Sequence, residues 1–233
     1  MKHVLIAFVL CLLLAAPAMA GITVGLPADS NTGNCFPFGC AYNGEYQQVY
    51  NNGQFGGTIT ITSLEFFNTQ VNYFNPSTMN SGSWTISLST TSADWNSLDP
   101  TFANNIGGNN TVVFSGNLFQ PWAFPKTLQI NLSTPFTYDP LAGNLLMDVV
   151  VSGATNTNGD LYFDTNGYNS VDIHNGYNTF LGRVYNLGEV NSGYGLVTGF
   201  NQPVSSTPEP STLLTLGSGI LGLAGLARKR LFS

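Results

Sequence analysis

Charge is scarce in this chain. Lys and Arg number six in 233 residues, Asp and Glu twelve, and together they make up 8% of the sequence. Four of the six bases lie at the ends, as Lys2 and Arg228-Lys229-Arg230, so residues 21–208 hold only Lys126 and Arg183 against eleven acids, a net charge of −9. A body so poor in cations excludes nucleic acid and anionic lipid as partners. Histidine is as rare: beyond His3 there is only His174, in Asp172-Ile-His-Asn-Gly. With no Gly-x-Ser-x-Gly elbow beside it, His174 reads as a solvated loop residue, and one histidine excludes a His-rich zinc site. Long amphipathic helices are missing too. Asn, Gly, Ser and Thr supply the polarity that charge does not, a surface suited to an exported protein among polysaccharides.

Cysteine is limited to three residues, and the first, Cys11, falls in an apolar run from Val4 to Ala16. A basic start, that run, and the small-residue site Ala18-Met19-Ala20 read as a secretory signal peptide at 1–20, cut by signal peptidase between Ala20 and Gly21. Leu10 precedes Cys11 where a lipoprotein would have a small residue. The remaining pair, Cys35 and Cys40, stands in Cys-Phe-Pro-Phe-Gly-Cys, where Pro37 and Gly39 turn the chain. In an oxidising compartment this predicts a small disulfide loop.

From Tyr46 onward the apolar period is two. Ile59 and Ile61 alternate in Gly57–Thr62, Trp84, Ile86 and Leu88 in Ser83–Thr90, and Leu128, Ile130 and Leu132 in Thr127–Leu132. Asn144–Ser152 is apolar on both faces apart from Asp148, the mark of a central strand covered on each side. Tyr46–Tyr50, Thr111–Ser115, Asp160–Asp164, Thr179–Tyr185 and Tyr194–Phe200 are further candidate strands, and Asp94–Asn105 has room for a helical turn or two. Asn51-Asn52-Gly53, Gly107-Gly108-Asn109-Asn110 and Asn158-Gly159 mark turns. The pattern predicts an all-β domain over 21–203, an antiparallel β-sandwich or jelly roll of about 8–10 strands.

Chemistry-bearing clusters are few. Asp160 and Asp164 are close in sequence, but on one strand they would stand about 13 Å apart, beyond the roughly 5–9.5 Å of a glycosidase carboxyl pair. Pairs made across strands stay open. Asn156-Thr-Asn-Gly-Asp160, Asp164-Thr-Asn-Gly167 and Asp172 gather oxygen ligands in glycine turns, as calcium sites do, without the twelve-residue loop of an EF-hand. Calcium at Asp160, Asp164 and Asp172 is the one cofactor the sequence suggests. Trp95, Trp122 and Tyr168 lie in loop-like surroundings where an aromatic ring can stack on a sugar, whereas Trp84 alternates with core residues.

At the C-terminus, Val204–Thr207 is a short linker, and the 204–210 segment closes on Pro208-Glu209-Pro210. The prolines hold Glu209 in an extended segment. Ser211–Ala227 follows, uncharged and with four glycines, then Arg228-Lys229-Arg230 within the basic end 228–233. A helix of 17 residues reaches about 25 Å against a hydrocarbon core of about 30 Å. It predicts a short transmembrane helix at 211–227 with the basic triplet on the cytoplasmic side. Gly217-Ser218-Gly219-Ile220-Leu221-Gly222 satisfies GxGxxG but has no strand before it, so it is membrane packing rather than a nucleotide site.

This three-part tail, Thr207 to Ser233, resembles the PEP-CTERM sorting signal of Gram-negative bacteria, with Thr207 where Val is usual and Leu231-Phe232-Ser233 beyond the basic end. The resemblance implies recognition of Pro208, Glu209 and Pro210 by an exosortase, a membrane-embedded enzyme that cleaves near the motif. It implies export, transient anchoring in the inner membrane, release to the cell surface or matrix, and an association with exopolysaccharide. Tyr46-Gln-Gln-Val-Tyr50, Phe55-Gly-Gly, Ile59-Thr-Ile and Gly143-Asn-Leu-Leu-Met-Asp-Val resemble, more loosely, an ectodomain that recurs on such proteins and brings no chemistry with it. The expectation is a non-enzymatic structural or binding module; a secreted polysaccharide hydrolase and a purely adhesive module are the alternatives.

Overall fold

A computed structural model describes residues 21–25, 33–69, 78–118, 120–121, 126–157, 159–166, 181–185, 189–192 and 195–202. In chain order the strands are β1 (Ile22–Val24), β2 (Gly33–Asn34), β3 (Gly44–Tyr50), β4 (Ile59–Asn68), β5 (Thr78–Thr91), β6 (Thr111–Gly116), β7 (Gln120–Pro121), β8 (Lys126–Tyr138), β9 (Asn144–Thr157), β10 (Phe163–Asp164), β11 (Leu181–Tyr185), β12 (Glu189–Ser192) and β13 (Thr198–Phe200). Single 3-10 turns occupy Asn52–Gln54, Phe102–Asn105 and Pro140–Ala142.

All strand pairs are antiparallel. One sheet runs β1-β13-β4-β8; a larger one runs β12-β11-β3-β9-β5-β6, with β7 also on β5; β10 and β2 form a small ribbon. The expected all-β class and antiparallel pairing are found. Asn144–Ser152 is indeed central, β9 lying between β3 and β5. Strands number thirteen among the described residues rather than eight to ten, and six of them have four residues or fewer. These short pieces carry no alternating pattern long enough to be read.

Alternation decides what each sheet buries. Trp84, Ile86 and Leu88 of β5, Ile61, Leu64 and Phe66 of β4, and Leu128 and Ile130 of β8 lie in one core cluster with Tyr46 and Tyr50 of β3 and Phe200 of β13. Both sheets therefore contribute to a single apolar interior. Fully burying each Leu or Ile side chain is worth about 1.5–3 kcal/mol. Within it, Phe38 projects from the Cys35–Cys40 loop and meets Phe66 at 4.6 Å and Phe163 at 6.2 Å. The predicted disulfide is present. Gly39 lies against the Leu161 carbonyl with no space for a Cβ, and Leu161 N donates back to Gly39 O at 2.9 Å.

That docking explains a difference from the sequence reading. Asp160–Asp164 is not a strand: only Phe163–Asp164 is extended and paired, because the preceding residues hydrogen-bond to the disulfide loop instead of a sheet neighbour. Tyr194–Phe200 is likewise shorter than expected, β13 starting at Thr198. Here the backbone of Leu196 is taken by a side chain. Gln48 accepts from Leu196 N at 2.7 Å and donates to Leu196 O at 2.9 Å, so its amide mimics a strand partner.

Gln48 is fully buried on the core face of β3. Its Oε1 also accepts from the Tyr46 hydroxyl at 2.7 Å, and Nε2 lies 3.4 Å from Thr198 Oγ1, itself 2.9 Å from the Tyr50 hydroxyl. The network joins β3 of the larger sheet to β13 of the smaller one. Replacing Gln48 by Ala takes the acceptor from the Leu196 N–H and leaves its C=O with only the Thr198 hydroxyl, at 2.9 Å, and should cost about 2–4 kcal/mol. Gln48→Leu restores volume but not the bonds, so its urea midpoint should stay well below wild type. A Gln48→Leu protein as stable as wild type would show the network to be dispensable.

Candidate functional site

The opposite face of β3 presents Glu45, Gln47 and Val49, since side chains alternate along a strand. The register sets Gln47 beside Asp148 of β9 and Val184 of β11, and Asp148 beside Ser87 of β5. Over this face passes the connection 92–110 between β5 and β6. A second apolar cluster of Val49, Leu98, Leu146 and Val184 forms there, with Ala93, Trp95, Phe102 and Ile106 packed against it. Gly182 makes the close approach feasible: a Cβ on it would overlap the Trp95 carbonyl. Ser89 Oγ accepts from Gly107 N at 3.1 Å and anchors the far end.

Beneath this cover lies a polar cluster. Gln47 Nε2 is 3.2 Å from Asp148 Oδ1, 3.4 Å from Glu45 Oε1 and 3.1 Å from the Phe102 carbonyl. Its Oε1 accepts from Asn105 Nδ2 at 2.9 Å, and Asn105 in turn donates to Asp99 O and accepts from Asp99 N, each at 2.9 Å. Asp148, Gln47 and Asn105 are buried, while Glu45 is half-buried. The two carboxyls thus converge on one amide nitrogen. Burial, then the neighbouring Asp148 charge, pushes Glu45 up to about 7. Burial likewise raises Asp148, outweighing the hydrogen bonds from Gln47 and Glu45 that favour its ionised form. Below about 7 Glu45 therefore keeps its proton beside Asp148.

Glycoside cleavage uses two carboxyls about 5–9.5 Å apart that flank an open site for the bond. Here one amide nitrogen touches both carboxyls and a loop carbonyl covers them. The sequence carried a sign of this site in Asp148, the only charge in an otherwise apolar run; Glu45 had none, because the pairing depends on register.

The residues singled out from sequence are dispersed. Trp95 is half-buried in the cover, its backbone N donating to Asp94 Oδ1 at 2.7 Å. Asp164 is fully buried and accepts from Thr69 N at 3.1 Å and Thr69 Oγ1 at 2.6 Å. Asp160 is exposed and accepts from Asn156 Nδ2 at 3.1 Å. The two aspartates thus serve different neighbours. Among the described residues, Cys35, Cys40 and Asp160 are the one group of three with atoms close enough to hold an ion, and the disulfide removes the thiolates such a site would use. Trp122, Tyr168, Asp172, His174, Ala20, Pro208, Glu209, Pro210, Arg228, Lys229 and Arg230 lie outside the described residues. So does 211–227, and among the described residues no helix is long and apolar enough to cross a membrane.

Gly21, the first described residue, abuts Gln202, and Gln202 Nε2 donates to Thr23 Oγ1 at 3.0 Å. β1 pairs with β13, so both ends of the body meet at one edge of the smaller sheet. Further along the sequence, the family model for the PEP-CTERM protein-sorting motif matches residues 206–230. The chain carries a PEP-CTERM sorting motif. No curated protein and no solved structure matches the chain. The PEP-CTERM motif marks it as an exported protein targeted to exosortase and held at the membrane before cleavage.

The carboxyl pair makes stability depend on pH with a definite sign. A folded-state pKa raised from 4.5 to about 7 contributes stability that is complete below 4.5 and lost as pH rises through about 7. The melting temperature should therefore decline across that window. Glu45→Gln, whose amide donates to Asp148 at every pH, should flatten the decline; a Glu45→Gln profile that superimposes on wild type would remove the pair as its source.

Proposed function

We propose that this chain is a non-enzymatic surface or matrix protein, a β-sandwich body delivered by exosortase processing of its tail and associated with exopolysaccharide. The observation that carries the reading is the PEP-CTERM motif at 206–230. The apolar cluster shared by the two sheets supports the sandwich. A secretory leader at 1–20 accords with the oxidised Cys35–Cys40 pair, and Gly21 beside Gln202 places the body's two ends together. A body with a net charge of −9 and neutral hydrogen-bonding residues suits a hydrated polysaccharide gel. The hydrolase alternative would need two carboxyls facing an open groove, whereas Glu45 and Asp148 are bridged by the Gln47 amide, which also bonds the Phe102 carbonyl of the cover.

The delivery reading is tested by expressing the full chain in its own host with and without the exosortase and determining the mature C-terminus by mass spectrometry. Processing near Pro208–Pro210 only in the exosortase-positive strain is expected, with the body found at the surface or in the medium. A tail intact in both strains would overturn it. The polysaccharide association is read separately, by pull-down of the folded body with extracellular polysaccharide from the same host. A blank result from demonstrably folded protein would leave an adhesive or structural module.

A further inference from the structure

The cluster beneath the 92–110 connection has more acceptors than Gln47 has hydrogens. An amide nitrogen carries two N–H donors, yet Gln47 Nε2 stands within reach of three oxygens: Asp148 Oδ1 at 3.2 Å, Glu45 Oε1 at 3.4 Å and Phe102 O at 3.1 Å. The other side of the amide is occupied, because Asn105 Nδ2 fixes Gln47 Oε1 as the acceptor. A proton between the two carboxyls supplies the missing donor. With it, Gln47 keeps one N–H for Phe102 and the cover is seated; without it, two carboxylates compete for the same hydrogens and outbid a neutral carbonyl.

The surroundings offer no substitute for that proton. Among the described residues, the titratable groups facing the cluster are Glu45 of β3, Asp148 of β9, and Asp94 and Asp99 of the connection itself. Asp94 accepts from Trp95 N at 2.7 Å and from Asn144 Nδ2 of β9 at 3.5 Å, and Asp99 from Thr101 N at 2.7 Å and Asn104 Nδ2 at 3.0 Å, so both are engaged elsewhere. β5 presents Ser87 and Ser89 to this face and β11 presents Val184. Arg183 pairs in register with Gln48 and points to the other face, 4.5 Å over the Tyr185 ring. Carboxylates with no cation opposite them repel when both ionise.

We propose that the 92–110 connection is a proton-latched cover, seated on the larger sheet while Glu45 and Asp148 share a proton and loosened when both carboxylates are charged. Phe102 and Asn105 are the points of attachment that Gln47 controls. Loosening uncovers the apolar surface of Val49, Leu146 and Val184. An exported protein meets media of varying acidity, and this cover would present a different face to each.

The test is hydrogen–deuterium exchange on the full chain in non-ionic detergent, with rates corrected for the intrinsic effect of pH. Peptides spanning 93–107 should lose about tenfold in protection between about pH 5 and about pH 8, while β9 keeps its protection. In Glu45→Gln, protection of the cover should remain at its acidic level at both pH values, because the new amide donates permanently. Asp148→Asn should do the same and serves if Glu45→Gln fails to fold. Asp99→Asn, which alters an acid outside the pair, should respond as wild type. Equal protection of the wild-type cover at both pH values, loss of protection throughout both sheets together, or a wild-type response in Glu45→Gln would each overturn the proposal.

Discussion

The structure depends on an amide placed where an apolar side chain would ordinarily stand. Gln48, on the buried face of β3, reproduces with its own N–H and C=O the pairing that a neighbouring strand would give Leu196. A buried amide costs several kcal/mol unless its partners are present, and here every partner belongs to a segment that must already be in place: Tyr46 on the same strand, Leu196 and Thr198 at β13. Apolar contacts alone would tolerate sliding of one sheet over the other. The amide admits one register.

Its sequence neighbour performs the complementary task. Alternation sends Gln47 to the opposite face of β3, where it ties the 92–110 cover to the sheet through Phe102 and Asn105. Two consecutive glutamines thus hold two different layers to one strand, and β3 becomes the plane from which both are positioned. The nature of the second attachment follows from composition. With Lys126 and Arg183 the only Lys or Arg between residues 21 and 208, and Arg183 committed to the Tyr46 and Tyr185 side, the acids beneath the cover have the Gln47 amide as their neighbour. A proton supplies the charge that a base would otherwise bring. The chain's poverty in basic residues and its shared-proton carboxyl pair are one fact seen at two scales.

Much of the fold was legible in the sequence because long strands repeat their signal. β4, β5, β8 and β9 each carry enough alternating residues to be found, and β9 could be read as central from its apolar run. Cys35 and Cys40 were legible because the compartment and the turn residues agreed. What escaped detection was decided by side chains reaching far along the chain. Asp160–Tyr162 leaves the sheet because Gly39 captures Leu161, and Leu196 stands outside β13 because its segment pairs with Asp164–Asn166 on one side while Gln48 takes its N–H and C=O on the other. Neither capture has a local sequence signature. The carboxyl pair escaped for the same reason: Glu45 and Asp148 are distant in sequence, and only the β3–β9 register makes them neighbours.

The end of β13 is closed by two polar side chains. Asn201, at a φ of 52°, turns out of β13, and its side chain fills the β4 irregularity between Ile61 and Ser63, accepting from Thr62 N at 2.8 Å and donating to Thr60 O at 2.8 Å. Left-handed backbone is tolerated by Asn far better than by a branched residue, so this position both stops the strand and locks the stop to its neighbour. Gln202 then closes on Gly21 and Thr23. Among the described residues the body's two ends are thus joined to each other by side-chain contacts, and the sorting motif lies further along the sequence, at 206–230.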